Sequence, residues 1–242
     1  FRTGGKITVG DLEVEPVHVD HSVPGAYGYI IHSSTGAVVY TGDFRLHGTK
    51  PEMTEDFIHR ATEAKPVAMV TEATNMVGFE LSTESEVREK TDRVVKDTSQ
   101  LVLTYFATAD IDRLNSFFTV AKKNRRCLAL TLRQAYLLEK LKKDLKLEVP
   151  DLKNENVLIF QKRKKRYQTW EEKLLNEANV VDALKVSKIQ NQLILLSPFY
   201  ELEELMEINP NPGSCYLYSA SEPANEEAEI DMDKLTNWLN HY

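Results

Sequence analysis

The residues best suited to chemistry crowd toward the start of the chain. Six histidines are present, His18, His21, His32, His47, His59 and His241, and five of them precede residue 60. Two segments stand out. Val17-His18-Val19-Asp20-His21-Ser22-Val23-Pro24-Gly25 ends one strand-like run, and Tyr40-Thr41-Gly42-Asp43-Phe44-Arg45 ends another. A His and an Asp at the ends of adjacent strands can point into one cleft. A neutral imidazole nitrogen and a carboxylate are suitable ligands for Zn²⁺ or Mn²⁺. A carboxylate has two oxygens and can bridge two ions that together activate a water. Glu72 closes the apolar run Val67–Thr71, at the end of a parallel-type strand where α/β folds place their sites. It can orient a metal-ligating His by accepting the second ring N–H. Plainer roles suit the same residues. A strand-end His is commonly a satisfied surface group, Gly-Asp is a common turn, and Glu72 can cap a helix or occupy a loop.

The elements that must position these residues change character along the chain. Residues 1–50 are rich in Gly, Val, Ile and Tyr, with strand-like runs at Lys6–Val9, Leu12–Val19, Ala26–His32 and Ala37–Thr41. Ser33-Ser34-Thr35-Gly36 separates the last two as a hairpin turn would. From Pro51 helices and strands alternate. Glu52–Ala64 reads as a helix with Met53, Phe57, Ile58 and Ala61 on one side, stopped by Lys65-Pro66. Val67–Thr71 is almost wholly apolar, the pattern of a strand in a doubly covered sheet. Thr83-Glu84-Ser85-Glu86 is a capping box opening a helix to about Lys96. Further strands are expected at Leu101–Tyr105, Cys127–Thr131, Val157–Phe160, Leu193–Ser197 and Cys215–Tyr218. Helices are expected around 111–121, 132–145, 170–179 and 201–207, with a last one from about Asp231. Repeated strand–helix units imply a mostly parallel sheet with helices on both faces. The natural boundary between the two regions falls near Gly78–Ser82.

Composition bounds the function classes. The chain has 242 residues, a net charge of −7, 42% hydrophobic and 28% charged residues and two cysteines. That is enough apolar material for a packed core and enough length for one large domain or two small ones. No apolar run approaches the ~18 residues of a membrane span. Cys127 and Cys215 make no disulfide framework and suggest a reducing compartment. Net acidity argues against nucleic-acid binding over the whole surface, but allows a local basic track.

Taken in order, three segments resemble the β-CASP branch of the metallo-β-lactamase superfamily, most closely its ribonuclease J-like enzymes. They are His21-Ser22-Val23-Pro24-Gly25-Ala26-Tyr27-Gly28, Tyr40-Thr41-Gly42-Asp43-Phe44-Arg45 and Thr71-Glu72-Ala73-Thr74. The resemblance implies an α/β protein: part of a metallo-β-lactamase αββα domain over 1–80, then a β-CASP α/β domain over 81–242. It implies His21 and Asp43 as metal ligands, with Asp43 bridging two divalent ions, zinc the expected metal. Glu72 would orient the metal-bound side, so that Asp43 and Glu72 are the catalytic acids. Tyr218-Ser219-Ala220-Ser221-Glu222-Pro223 resembles the family's Ser-containing turn near a nucleotide phosphate, which makes Ser219 and Ser221 candidate substrate contacts. Ordinary turn chemistry is the other reading of these serines.

Two departures qualify the resemblance. The family's His-x-His-x-Asp-His motif is absent: His18-Val19-Asp20-His21 looks like its second half, but Pro16 stands in the place of the first His. The family's two late histidines are also missing, since no His occurs between Arg60 and Asn240, and His241 lacks their Ser-Gly-His setting. The expectation is a window cut from a longer enzyme, inactive by itself, the other explanation being a degenerate homologue. In full-length form the resemblance implies a metal-dependent, cytoplasmic hydrolase that cuts RNA, exo- or endonucleolytically, and allows a homodimer. The alternatives are a non-catalytic protein that holds RNA or a partner, and a nuclease directed at DNA.

Two basic runs remain. Lys162-Arg163-Lys164-Lys165-Arg166, beside Tyr167 and Trp170, can neutralise phosphates or form a solvated loop. Lys122-Lys123-Asn124-Arg125-Arg126 follows a helix, where positive charge suits the C-terminal dipole. Tyr105-Phe106 can stack a base or fill a core. Asp110 and Asp112 are expected to open a helix.

Overall fold

The computed structural model describes residues 2–74, 82–220 and 226–241. The chain is α/β and divides into two compact units, Phe1–Val87 and Arg88–Tyr242. The expected boundary near Gly78–Ser82 lies largely outside the described residues.

The first unit holds a five-stranded sheet in the order β1-β2-β3-β4-β5: β1 (Ile7–Val9), β2 (Leu12–His18), β3 (Tyr27–Ser33), β4 (Gly36–Tyr40) and β5 (Ala68–Val70). The first four strands are antiparallel neighbours, and β5 pairs parallel with β4. The expected Ser33–Gly36 turn joins β3 to β4 in register. Helix α1 (Pro51–Glu63) follows, with Pro51 at its first turn where the missing N–H costs nothing. Val17, Val19, Ile30, Ala37, Val39 and Phe57 form this unit's core. Burying Phe57 alone contributes roughly 1.5–3 kcal/mol. The buried stripe of α1 is Thr54 and Phe57, whereas Ile58, expected on the inner face, is exposed.

β5 corrects the reading of Val67–Thr71. It is the terminal strand of its sheet, and Val67, Met69 and Val70 are 68%, 63% and 56% exposed. Apolarity reported a strand correctly, but not its cover.

The second unit is a six-stranded, wholly parallel sheet in the order β11-β6-β10-β7-β8-β9. Its strands are β6 (Val102–Tyr105), β7 (Cys127–Leu130), β8 (Val157–Phe160), β9 (Val180–Val181), β10 (Leu193–Leu196) and β11 (Cys215–Tyr218). The helices are α2 (Glu84–Asp97), which carries the division between the units, α3 (Ile111–Lys123), α4 (Leu132–Leu141), α5 (Thr169–Glu177), α6 (Ala183–Lys188), α7 (Leu205–Ile208) and α8 (Glu226–Leu239). The chain steps outward through β7, β8 and β9, then returns to insert β10 beside β6 and add β11 beyond it.

Strand periodicity splits the core in two. Ile194 and Leu196 of β10 pack with Leu114, Phe117 and Leu138 on one face. Leu193 and Leu195 pack with Val186, Leu202, Leu205 and Leu235 on the other. Alternate residues therefore bury on opposite faces, which is why the central strands read as unbroken apolar runs. The capping box at Thr83 forms, with Glu86 accepting the Thr83 N–H at 2.8 Å. Asp110 caps α3 by accepting the Arg113 N–H. The helix expected at 201–207 is mostly a 3₁₀ turn (Phe199–Glu204) before the short α7, and α8 starts at Glu226 rather than near Asp231.

Candidate functional site

Topology brings the three expected site residues of the first unit to one edge. β2 and β4 are each antiparallel to β3, so they run the same way, and β5 is parallel to β4. All three strands therefore end on one side of the sheet. His21 lies just beyond β2, Asp43 just beyond β4 and Glu72 just beyond β5.

The connecting loops are fastened to each other by backbone groups. Thr41 N–H donates to Val70 O at 3.0 Å and Arg45 N–H to Asp20 O at 2.9 Å. Phe44 N–H donates to Glu72 Oε1 at 2.9 Å. Between Thr41 and Phe44 the chain turns at Gly42, whose φ of +59° is the left-handed conformation that glycine adopts without a Cβ penalty. The Gly-Asp of the sequence is thus a true turn, and Asp43 stands at its exposed tip.

Glu72 is held as a carboxylate. Burial works to raise its pKa, but hydrogen bonds from Thr74 and the Phe44 N–H, with the charge of His21, bring it below the ordinary value. His21 and Glu72 are therefore electrostatic neighbours. The His21 Nδ1 accepts the Val23 N–H at 3.3 Å, which leaves the proton of the neutral ring on Nε2.

A tertiary clamp beneath these loops went unread in the sequence. The buried Thr54 hydroxyl of α1 accepts the Asp20 N–H at 2.9 Å and donates to Arg45 O at 2.9 Å. Asp20, 3% exposed, takes the Arg45 guanidinium through Nη2 at 3.4 Å. Its second oxygen lies with Arg45 Nε against the Cα of Gly48, where a Cβ would meet each of them at 2.2 Å. Gly48 is the residue that leaves the pair room. The available signal was a polar residue, Thr54, on the otherwise apolar stripe of α1. His18 serves structure instead: its Nδ1 is 2.8 Å from Thr3 Oγ1, and its ring packs on Tyr27.

The donor types suit a borderline divalent cation, but their number falls short. A catalytic zinc takes three protein ligands and a water. Among the described residues no three His, Cys, Asp or Glu side chains gather as a metal site. Ligation through either ring nitrogen would require His21 Nδ1 to give up the Val23 N–H.

In the second unit Ser219 follows β11. Its N–H donates to Tyr105 O at 2.9 Å. Arg113 Nη1 donates to both Ser219 O at 2.7 Å and Ser219 Oγ at 2.6 Å. A full positive charge therefore stands behind this hydroxyl, which sequence reasoning had left out. Ser221 lies outside the described residues.

Comparison with known proteins gives relatives for part of the chain. Over 126 residues the chain is 28% identical to ribonuclease J of Sinorhizobium meliloti, covering 50% of this chain and 22% of that protein. It is 29% identical over 132 residues to ribonuclease J 2 of Streptococcus pyogenes, with 50% and 24% covered. Ribonuclease J of Thermus thermophilus aligns over 215 residues at 27% identity, 86% of this chain and 35% of that protein. Over these stretches the chain is similar to ribonucleases J. The chain spans between about a fifth and a third of the length of these relatives. No protein-family model matches it. Its fold matches the crystal structure of a protein of unknown function from Enterococcus faecalis, with a TM-score of 0.69 at 19% identity over 98% of this chain and 53% of that one.

Proposed function

We propose that the complete protein is a metal-dependent ribonuclease that hydrolyses RNA phosphodiester bonds. Residues 1–80 would be part of its metallo-β-lactamase domain and 81–242 its β-CASP domain. The observation that carries the reading is the convergence of His21, Asp43 and Glu72 at one sheet edge, in a chain that aligns with ribonucleases J. His21 and Asp43 would hold part of a site for two divalent ions, zinc being the expected metal. When bound, such ions supply Lewis-acid activation of water at neutral pH. Glu72 fixes the Asp43 turn through the Phe44 N–H and bears a charge toward His21. Ser219, backed by Arg113, would contact an RNA phosphate, with Ser221 beside it in sequence. By itself this chain, with two of the needed ligands, would be inactive.

A cytoplasmic location belongs to the same proposal. Cys127 and Cys215 sit on β7 and β11, which β6 and β10 separate. Among the described residues no helix is long and apolar enough to cross a membrane.

The test uses the full-length protein with matched RNA and DNA oligonucleotides. Cleavage of RNA that is lost in Asp43→Ala, with RNA binding retained, is the expected result. RNA binding without cleavage by the wild type would replace the reading with a non-catalytic one. Preferential cleavage of DNA would redirect it to DNA.

A further inference from the structure

At the carboxyl edge of the six-stranded sheet, β7 and β10 are neighbours, yet their chains leave toward opposite faces. β7 leads into α4 and the core around Leu138, while β10 leads into the segment of Leu202 and Leu205 in the other core. Adjacent strands that part in this way open a crevice, the place where α/β sheets take ligands. Arg133, at the start of α4, and Tyr200, just past β10, come from its two sides. The Arg133 guanidinium lies 5.5 Å from the centre of the Tyr200 ring. Lys162, following β8, places Nζ 5.9 Å from the same ring.

Two cations thus share one aromatic ring, which is 51% exposed. Attraction to the ring holds each of them, but they repel one another. Carboxylates offset part of this: the Arg133 charge acts on Glu171 and Glu201, and that of Lys162 on Glu201 and Glu204. Glu201 Oε1 is 3.8 Å from Lys162 Nζ, and burial pushes the Glu201 carboxyl toward its neutral form. Among the described residues Arg133 has no ion-pair partner. Arg163, Lys165 and Arg166 add exposed positive charge next to Lys162 in a chain that is net acidic. Farther along the same edge, the Tyr105 and Tyr218 rings of β6 and β11 lie 5.8 Å apart.

We propose that Arg133 and Lys162, gathered by Tyr200, form a subsite for a backbone phosphate of single-stranded RNA. The anion is the missing third component: a phosphate accepts from the guanidinium fork and an ammonium together, and the tyrosines alongside offer stacking surfaces for bases. The inference rests on the ribonuclease reading and adds the side chains by which the second unit would grip the strand.

The experiment measures binding of a fluorescein-labelled dodecauridylate to the chain as a function of salt. Each lost phosphate contact lowers the slope of log K against log salt by about 0.7 on a single strand. Arg133→Gln and Lys162→Gln are each expected to lose that much slope and to bind several-fold more weakly. Tyr200→Leu should also weaken binding several-fold, while Tyr200→Phe, which keeps the ring, binds within about twofold of the wild type. Lys140→Gln is the control, on the same helix and 4.6 Å from its own ring, Tyr136; its slope should not change. Circular dichroism confirms that each variant is folded. Unchanged slopes in both Arg133→Gln and Lys162→Gln overturn the subsite while leaving the ribonuclease reading intact. An equal loss at Lys140 also overturns it, by showing that only bulk charge matters. Failure of the wild-type chain to bind any RNA removes the ground for both.

Discussion

Glu72 and Phe44 are 28 residues apart in sequence, and the carboxylate of the first accepts the N–H of the second at 2.9 Å. One bond thereby fixes the backbone immediately after Asp43. Glu72→Ala leaves that N–H without its acceptor and is expected to destabilise the chain by about 1 kcal/mol. Glu72→Gln keeps a carbonyl oxygen and should cost less. Urea midpoints of the two variants check this, and equal midpoints would assign Glu72 no part in holding the turn.

The Asp20–Arg45 pair depends on a missing side chain. Gly48→Ala places a methyl group 2.2 Å from both Asp20 Oδ2 and Arg45 Nε, so the pair must separate or the loop must move. A loss of about 1–3 kcal/mol is expected. Asp20→Ala removes the buried carboxylate from beside the Arg45 guanidinium and should cost about 1–3 kcal/mol. Replacing both charges together, Asp20→Leu with Arg45→Met, should cost less than Asp20→Ala alone. Thermal melting of the set provides the comparison.

His47 gives the fold a pH dependence of definite sign. Burial first, then the Arg45 charge, lowers its pKa below the ordinary 6.5, against weaker opposing effects of Asp20 and Glu84. The unfolded chain therefore takes up a proton on this ring at a pH where the folded chain does not. This contribution to stability is complete above pH 6.5 and falls away as pH drops below that value. His47→Gln should flatten the decline between about pH 6.5 and 5 in urea midpoints. An equally steep decline in the variant would mean that His47 does not cause it.

Arg126 ties together the amino ends of the parallel sheet. Its guanidinium donates to Gln100 O at 2.7 Å, to Leu193 O at 3.2 Å and to Thr98 O. Lysine cannot reproduce that fork. Arg126→Lys should cost about 1–3 kcal/mol and Arg126→Ala more, again read from urea midpoints.

What the sequence disclosed follows from the range of the interactions concerned. β8 and β11 were legible to the residue because each is an apolar run bounded by polar loops. β9 was not, since two residues of strand carry no period, and the short α6 after it was missed as well. β5 was misjudged because an apolar run shows strand character without showing how many neighbours cover it. His21, Asp43 and Glu72 stood out because each follows a strand within a short segment. Their clamp did not: the Thr54 hydroxyl joins Asp20 to Arg45 across 34 and 9 residues. Arg113 reaches Ser219 across 106. Such partners are decided by folding, and local pattern does not carry them.

Among the described residues no strand pairs with the outer side of β5, which has a consequence for handling the protein. An uncharged, apolar terminal strand is a template on which another copy can lay its own strand. Lys65 and Pro66, immediately before it, are residue types that discourage such pairing, but nothing charged stands between Val67 and Val70. Concentrated solutions of this chain should therefore self-associate through that edge. Met69→Lys, at a position already facing solvent, should keep it monodisperse without loss of thermal stability.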